Sequence, residues 1–226
     1  DSLVGSEMCI RDRCIMSDTI IILTCTVKIF NVHKVFQSDS DERLKTYTNA
    51  ITKWQNTDFK IIIVDNSGYT FPEIQRNDNI HILSYMYNEL NLEKEYNFLL
   101  TSNEKGHHEM TSTYYAFNNI PTHWNYSKIL KLTGRYFIPN FRKYIDEIPE
   151  DCLYYIQNRD VMCELYGGKK ENVIELFKLP TIKYKRQISE YIKKERIEQL
   201  VNNSDNKNIV YKFPRLDVDP VIKGSR

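Results

Sequence analysis

The chain has 226 residues, with 31 Lys and Arg against 30 Asp and Glu and a formal net charge of +1 at pH 7. Such a balance argues against a nucleic-acid binder, which would carry a basic excess or stripe to neutralise phosphates. No apolar run approaches the roughly 18–20 residues that cross a bilayer, so no transmembrane segment is expected, and the length suits one domain with a full core.

Residues 1–15 stand apart. Ser6-Glu7-Met8-Cys9-Ile10-Arg11-Asp12-Arg13 reads as translated sequencing-adapter sequence, and charges at positions 11–13 rule out a secretory signal there. Met16 is the expected start, so a single domain over residues 16–226 is expected. Of the five cysteines, Cys9 and Cys14 fall in the leader. Cys25, Cys152 and Cys163 remain, an odd set without metal-type spacing that points to a reduced, cytoplasmic setting.

Residues 19–27 form an almost unbroken β-branched run, as in a strand buried on both faces of a parallel sheet. The polar stretch 37–42 leads into Arg43, Leu44, Tyr47, Ala50, Ile51 and Trp54, whose three- and four-residue spacing predicts an amphipathic helix with an acidic start. Residues 59–64 and 79–83 read as the next two strands. Gly106 opens a helix whose Met110, Tyr114 and Phe117 share a face, and residues 127–132 form a fourth strand. A short helix is expected over 140–148, a strand over 152–157, helices over 171–178 and 180–201, and an edge strand over 209–213. This alternation predicts an α/β fold with a mostly parallel central sheet flanked by helices and a helical C-terminal part.

Ligands in such sheets bind where strands reach their carboxyl ends. Two predicted strand ends carry chemistry. In Val64-Asp65-Asn66-Ser67-Gly68, Asp65 can accept from a ribose hydroxyl or a base imide with Asn66 and Ser67 beside it, or it can cap its own turn. In Lys131-Leu132-Thr133-Gly134-Arg135-Tyr136, Gly134 permits close approach, Thr133 offers a hydroxyl, and the Arg135 guanidinium suits two phosphate oxygens.

At Gly106-His107-His108-Glu109, adjacent histidines on a helix face different ways and make a poor metal pair. The helix start at Gly106 can instead hold a pyrophosphate, with His107 assisting. The pairs Asp39/Asp41 and Asp217/Asp219 have the spacing that holds Mg²⁺ or Mn²⁺ on a diphosphate, although each also suits a solvated loop. Glu164, in Glu164-Leu165-Tyr166-Gly167-Gly168 between a strand and a helix, is a candidate general base, while the double glycine equally makes a plain turn.

Taken in order, the first strand, the Arg43–Trp54 helix, residues 61–68, the Gly106 helix start and Leu130-Lys131-Leu132-Thr133-Gly134-Arg135-Tyr136-Phe137 resemble nucleotide-sugar glycosyltransferases of the GT-A, Rossmann-like fold. More narrowly, they resemble uncharacterised viral and bacterial glycosyltransferase-like sequences with a Lys-Leu-Thr-Gly-Arg-Tyr signature. The resemblance implies a transferase that takes a nucleoside-diphosphate sugar as donor and a glycan or other hydroxyl as acceptor. Asp65 would read the nucleoside, Arg43 and Arg135 the diphosphate, and Glu164 would be the base of an inverting reaction. GT-A enzymes usually place Asp-x-Asp at the fourth strand's end to hold Mn²⁺ or Mg²⁺. Here Thr133-Gly134-Arg135 stands there, so no metal ligand is assigned, and Arg135 can supply the positive charge. The alternative is a degenerate domain that binds nucleotide or glycan without turnover.

Overall fold

The computed structural model describes residues 17–29, 37–157, 164–180, 192–204, 209–214, 216 and 218. The leader, Met16, Cys163, Asp217 and Asp219, and residues 181–191 of the expected C-terminal helix lie outside the described residues.

Strands β1 (Thr19–Cys25), β2 (Lys60–Asp65), β3 (Ile80–Ser84) and β4 (Lys128–Thr133) run parallel, as their apolar character predicts. With β5 (Tyr154–Gln157), β6 (Tyr166–Lys169) and β7 (Val210–Phe213) they form, among the described residues, one sheet of order β3-β2-β1-β4-β6-β5-β7. The chain is therefore a single-sheet α/β protein with a mostly parallel sheet and helices packed on it.

Alternation along the strands divides the core. Ile21, Leu23, Ile61, Ile63, Leu130 and Leu132 pack towards Tyr47, Ile51 and Trp54 of helix α1 (Ser40–Gln55). Ile20, Ile22, Ile62, Val64 and Ile129 pack in a second cluster with Met110 and Ala116 of another helix, here Lys105–Asn118. Both faces of β1 and β2 are thus covered, which is why their runs are continuous rather than alternating. Helix α1 begins where Asp39 accepts from the Glu42 N–H at 2.8 Å, so Asp39 serves as a cap. Trp54 closes this layer, donating from Nε1 to the Tyr136 carbonyl at 2.8 Å and meeting Phe59, Phe137 and Phe141 edge-on.

Further along, α2 (Asn97–Leu100), α3 (Lys105–Asn118), α4 (Phe141–Asp146) and α5 (Ile174–Phe177) follow. The expected C-terminal helix is, where described, a π-helical segment Ile192–Ile197 running into a short α-helix Glu198–Asn202. No helix among the described residues is long and apolar enough to cross a membrane.

One connection differs from the sequence expectation. Tyr166-Gly167-Gly168-Lys169 is a strand, β6, inserted antiparallel between β4 and β5. The glycines serve close backbone approach rather than a turn: a Cβ on Gly167 would lie 2.1 Å from the Ile129 carbonyl oxygen, and one on Gly168 2.6 Å from that of Leu153. Gly167→Ala is therefore expected to destabilise the protein by about 1–3 kcal/mol through overpacking against backbone, as read by urea unfolding.

Candidate active site

Sheet register builds the site. Cys25 is paired with Asp65, and Thr24 with Thr133, so the carboxyl ends of β1, β2 and β4 open together. A narrow, open-mouthed crevice with a cavity volume of about 40 Å³ lies there, walled by Thr24 to Thr26, Arg43, Asn66, Lys105, Glu109 and Arg135 among others. A second hollow of about 330 Å³ shares Thr26, Asn66 and His108 with it and continues over Met86, Tyr87 and Leu100. The second hollow is of the size that takes a small organic ligand.

Asp65 is fully buried and does not wall the crevice. Oδ1 accepts from the Ser67 N–H and hydroxyl, both at 2.7 Å, and from the Tyr69 N–H at 3.0 Å, while Oδ2 accepts from the Val27 N–H at 2.9 Å. Burial pushes its carboxyl up, against these four donors that pull it back. Ser67 Oγ in turn accepts from the N–H groups of Val27 and Lys28. Asp65 and Ser67 thus tie the chain after β1 to the end of β2, which is the turn-holding alternative of the two sequence readings.

Asn66 faces the crevice instead. Its Nδ2 donates to Ser112 Oγ at 3.2 Å, and the Ser112 hydroxyl is itself committed as donor to the His108 carbonyl at 2.9 Å. That orientation leaves Asn66 Oδ1 buried without a donor.

Gly134 permits a close approach, but the neighbour is the chain itself. A Cβ there would lie 2.4 Å from Cys25 Sγ and 3.1 Å from the Thr24 carbonyl oxygen, so the glycine lets the end of β4 pack against β1 rather than against a ligand. Arg135 follows with only 8% exposure. Its guanidinium lies 5.9 Å from the Tyr136 ring centre, its Nε has no acceptor, and among the described residues no carboxylate pairs with it. Arg43 is also buried, donating to the carbonyls of Thr26 and Gln37 and to the Tyr47 hydroxyl.

On α3, His108 rather than His107 reaches the crevice, and Gly106 does not wall it. His107 is buried, with Nδ1 at 2.6 Å from Ser102 Oγ. His108 stacks on Tyr87 with ring centres 3.6 Å apart and donates from Nε2 to the Ser102 carbonyl at 2.8 Å. Burial holds its pKa below the usual histidine value, which favours the neutral ring.

Three residues given no role by sequence complete the site: Lys105 and Glu109 on the wall, and Lys131 buried behind it. Lys105, His108, Glu109 and Ser112 recur at three and four residues and form one polar face of α3, a signal that the apolar face of the same helix had masked. Lys131 stands in a strand buried on both sides and is fully buried itself, so it needs an ionic partner. Its Nζ is bonded to Glu109 Oε1 and lies 3.9 Å from Glu164 Oε2. Glu109 Oε1 also accepts from the hydroxyls of Thr133 at 3.0 Å and Thr24 at 3.3 Å.

Glu164 sits just before β6 with φ of +49°, in the left-handed region. It does not wall the crevice directly and contacts Glu109. Burial and the Glu109 carboxylate push its carboxyl up to about 8, whereas Lys131 draws the Glu109 carboxyl well below the ordinary range, against burial that opposes ionisation. Among the described residues no three His, Cys, Asp or Glu side chains form a metal-holding group.

No protein-family model matches the chain, and no curated protein matches it. A solved structure shares its fold. A "putative nucleotide-diphospho-sugar transferase" from Desulfovibrio desulfuricans G20 superposes with a TM-score of 0.50 at 13% identity, over 88% of this chain and 80% of that one. A 4-diphosphocytidyl-2C-methyl-D-erythritol synthase from Anaerococcus prevotii DSM 20548 gives a TM-score of 0.43 at 13% identity, over 87% and 88%. The chain has a GT-A-like, Rossmann-type arrangement.

Proposed function

We propose that this crevice binds a nucleoside-diphosphate sugar and that the protein transfers the sugar to a hydroxyl acceptor, such as one on a glycan. The observation that carries the reading is Arg135: a buried guanidinium on the crevice wall, without a carboxylate partner among the described residues and with Nε lacking an acceptor. A buried cation so placed favours an anionic ligand, and the planar fork suits two phosphate oxygens. Arg43 and Lys105 on the same wall add positive charge, and Thr133 adds a hydroxyl. In this reading fixed cations stabilise the departing diphosphate, the part Mn²⁺ or Mg²⁺ plays where an Asp-x-Asp pair holds the metal. Asn66 Oδ1 takes the nucleoside contact, with Asp65 and Ser67 holding its turn. The buried carboxyl pair of Glu109 and Glu164 supplies the base of an inverting transfer.

The reading is tested without knowing the acceptor. Incubated with UDP-, GDP-, CMP- and dTDP-sugars, the protein is expected to release nucleotide slowly from one of them by transfer to water, followed by phosphorus NMR. If one donor binds but is never split, the protein is a nucleotide-binding domain without turnover, a reading that the Thr133-Gly134-Arg135 strand end also accommodates.

A further inference from the structure

We propose that Glu109 and Glu164 act as one proton-holding unit in the proposed transfer, with Glu109 as the carboxyl that meets the acceptor hydroxyl and Glu164 as the positioning residue beside it. This rests on the functional reading above.

The argument begins with unsatisfied atoms. Glu109 Oε2 and Glu164 Oε2 are both buried, and neither has a conventional donor. Both carboxyls converge on one ammonium: Lys131 Nζ is bonded to Glu109 Oε1 and lies 3.9 Å from Glu164 Oε2. Two carboxylates in a buried site do not both ionise readily, so one proton held in common satisfies both orphan oxygens. Lys131 balances the remaining negative charge: it is fully buried, bonded to Glu109 and 3.4 Å from the Glu164 carbonyl oxygen.

Every neighbouring element contributes. From β4 come Lys131 and the Thr133 hydroxyl, from β1 the Thr24 hydroxyl, and from α3 Lys105. From β6 comes Tyr166, whose ring lies 5.3 Å below Lys131 Nζ and whose hydroxyl is 3.4 Å from that of Thr113. The unit's access to the crevice is through Glu109, which walls it together with Arg135 and Lys105. Glu164 has a side-chain exposure of 17% but no place on that wall.

The step balances as follows. Once the shared proton has been lost to solvent, the acceptor oxygen forms its bond to the anomeric carbon as its proton passes to the carboxylate pair. The anomeric carbon–oxygen bond breaks, and its electron pair leaves on the diphosphate beside Arg135. Burial and the like charge of Glu109 hold the Glu164 carboxyl far above the ordinary carboxylate range, so the fully ionised pair gains population as pH rises above neutrality.

The first test needs neither substrate nor variant. Infrared difference spectra of the wild-type protein between pH 6 and 10 are expected to show one protonated buried carboxyl that ionises near pH 8. In Glu109→Gln the remaining carboxyl is expected to ionise at least one unit lower, because the like charge is gone. A wild-type spectrum with no protonated carboxyl at pH 7 overturns the proposal, whether or not a nucleotide sugar binds. With a donor in hand, Glu109→Gln is expected to lower kcat about 100-fold or more while KM changes little, and Glu164→Gln to remove the rise of kcat with pH. Full activity in Glu109→Gln with intact donor binding overturns the assignment of Glu109, whereas a spectrum as expected without any donor binding removes the functional reading alone.

Discussion

Lys131→Met is expected to destabilise the protein by about 3–5 kcal/mol at pH 7, because it leaves a buried Glu109 charge without its cation. Methionine keeps most of the side-chain length in a fully buried strand position, so little of the loss arises from packing. The hydroxyls of Thr24 and Thr133 still donate to Glu109 Oε1, but they carry no charge to balance it. Adding Glu109→Gln removes the stranded charge, and the double variant is expected to recover most of the stability. Urea unfolding of wild-type, single and double variants measures this coupling directly. A loss below about 1 kcal/mol in Lys131→Met is the scale of an exposed ion pair and would show that this one is not formed.

Arg135→Ala is expected to act on ligand affinity with little effect on folding. The guanidinium has no ion pair among the described residues and lies 5.9 Å from the Tyr136 ring centre. Against a diphosphate, a charge-assisted hydrogen bond contributes about 1.5–3 kcal/mol, so nucleotide affinity should fall roughly 10- to 100-fold. Arg135→Lys keeps the charge but loses the fork and should recover part of the affinity. Isothermal titration with the free nucleoside diphosphate reads both variants. Unchanged affinity in Arg135→Ala would place the phosphates elsewhere.

Sequence pattern reached the layers of the fold more readily than the details of the site. Helix α1 was legible because Asp39 caps it and because Arg43, Tyr47, Ala50, Ile51 and Trp54 are the side chains it buries. Strands β1 and β2 were legible because burial on both faces requires unbroken apolar runs. At the strand ends, local pattern identified the right segment but not the right neighbour: Asn66 and His108 face the crevice, whereas Asp65 and His107 turn inward. Which of two adjacent residues points outward depends on the turn that follows, and here Asp65 fixes that turn through hydrogen bonds to distant backbone. Strand β6 was hidden because paired glycines signal a turn more often than a close strand approach. The Glu109, Lys131 and Glu164 cluster joins three separate elements and has no linear spacing. Its sequence traces were the lysine in a buried strand and Glu164, read as a candidate base.

The most direct measurement of the central claim is the thermal midpoint of the protein with UDP-, GDP-, CMP- and dTDP-sugars, each in Mn²⁺ and in EDTA, since a ligand selective for the folded state raises it. The account predicts that one nucleotide raises the midpoint equally in both conditions and that Arg135→Ala abolishes the shift. A shift that requires Mn²⁺, or no shift with any nucleotide, would contradict it.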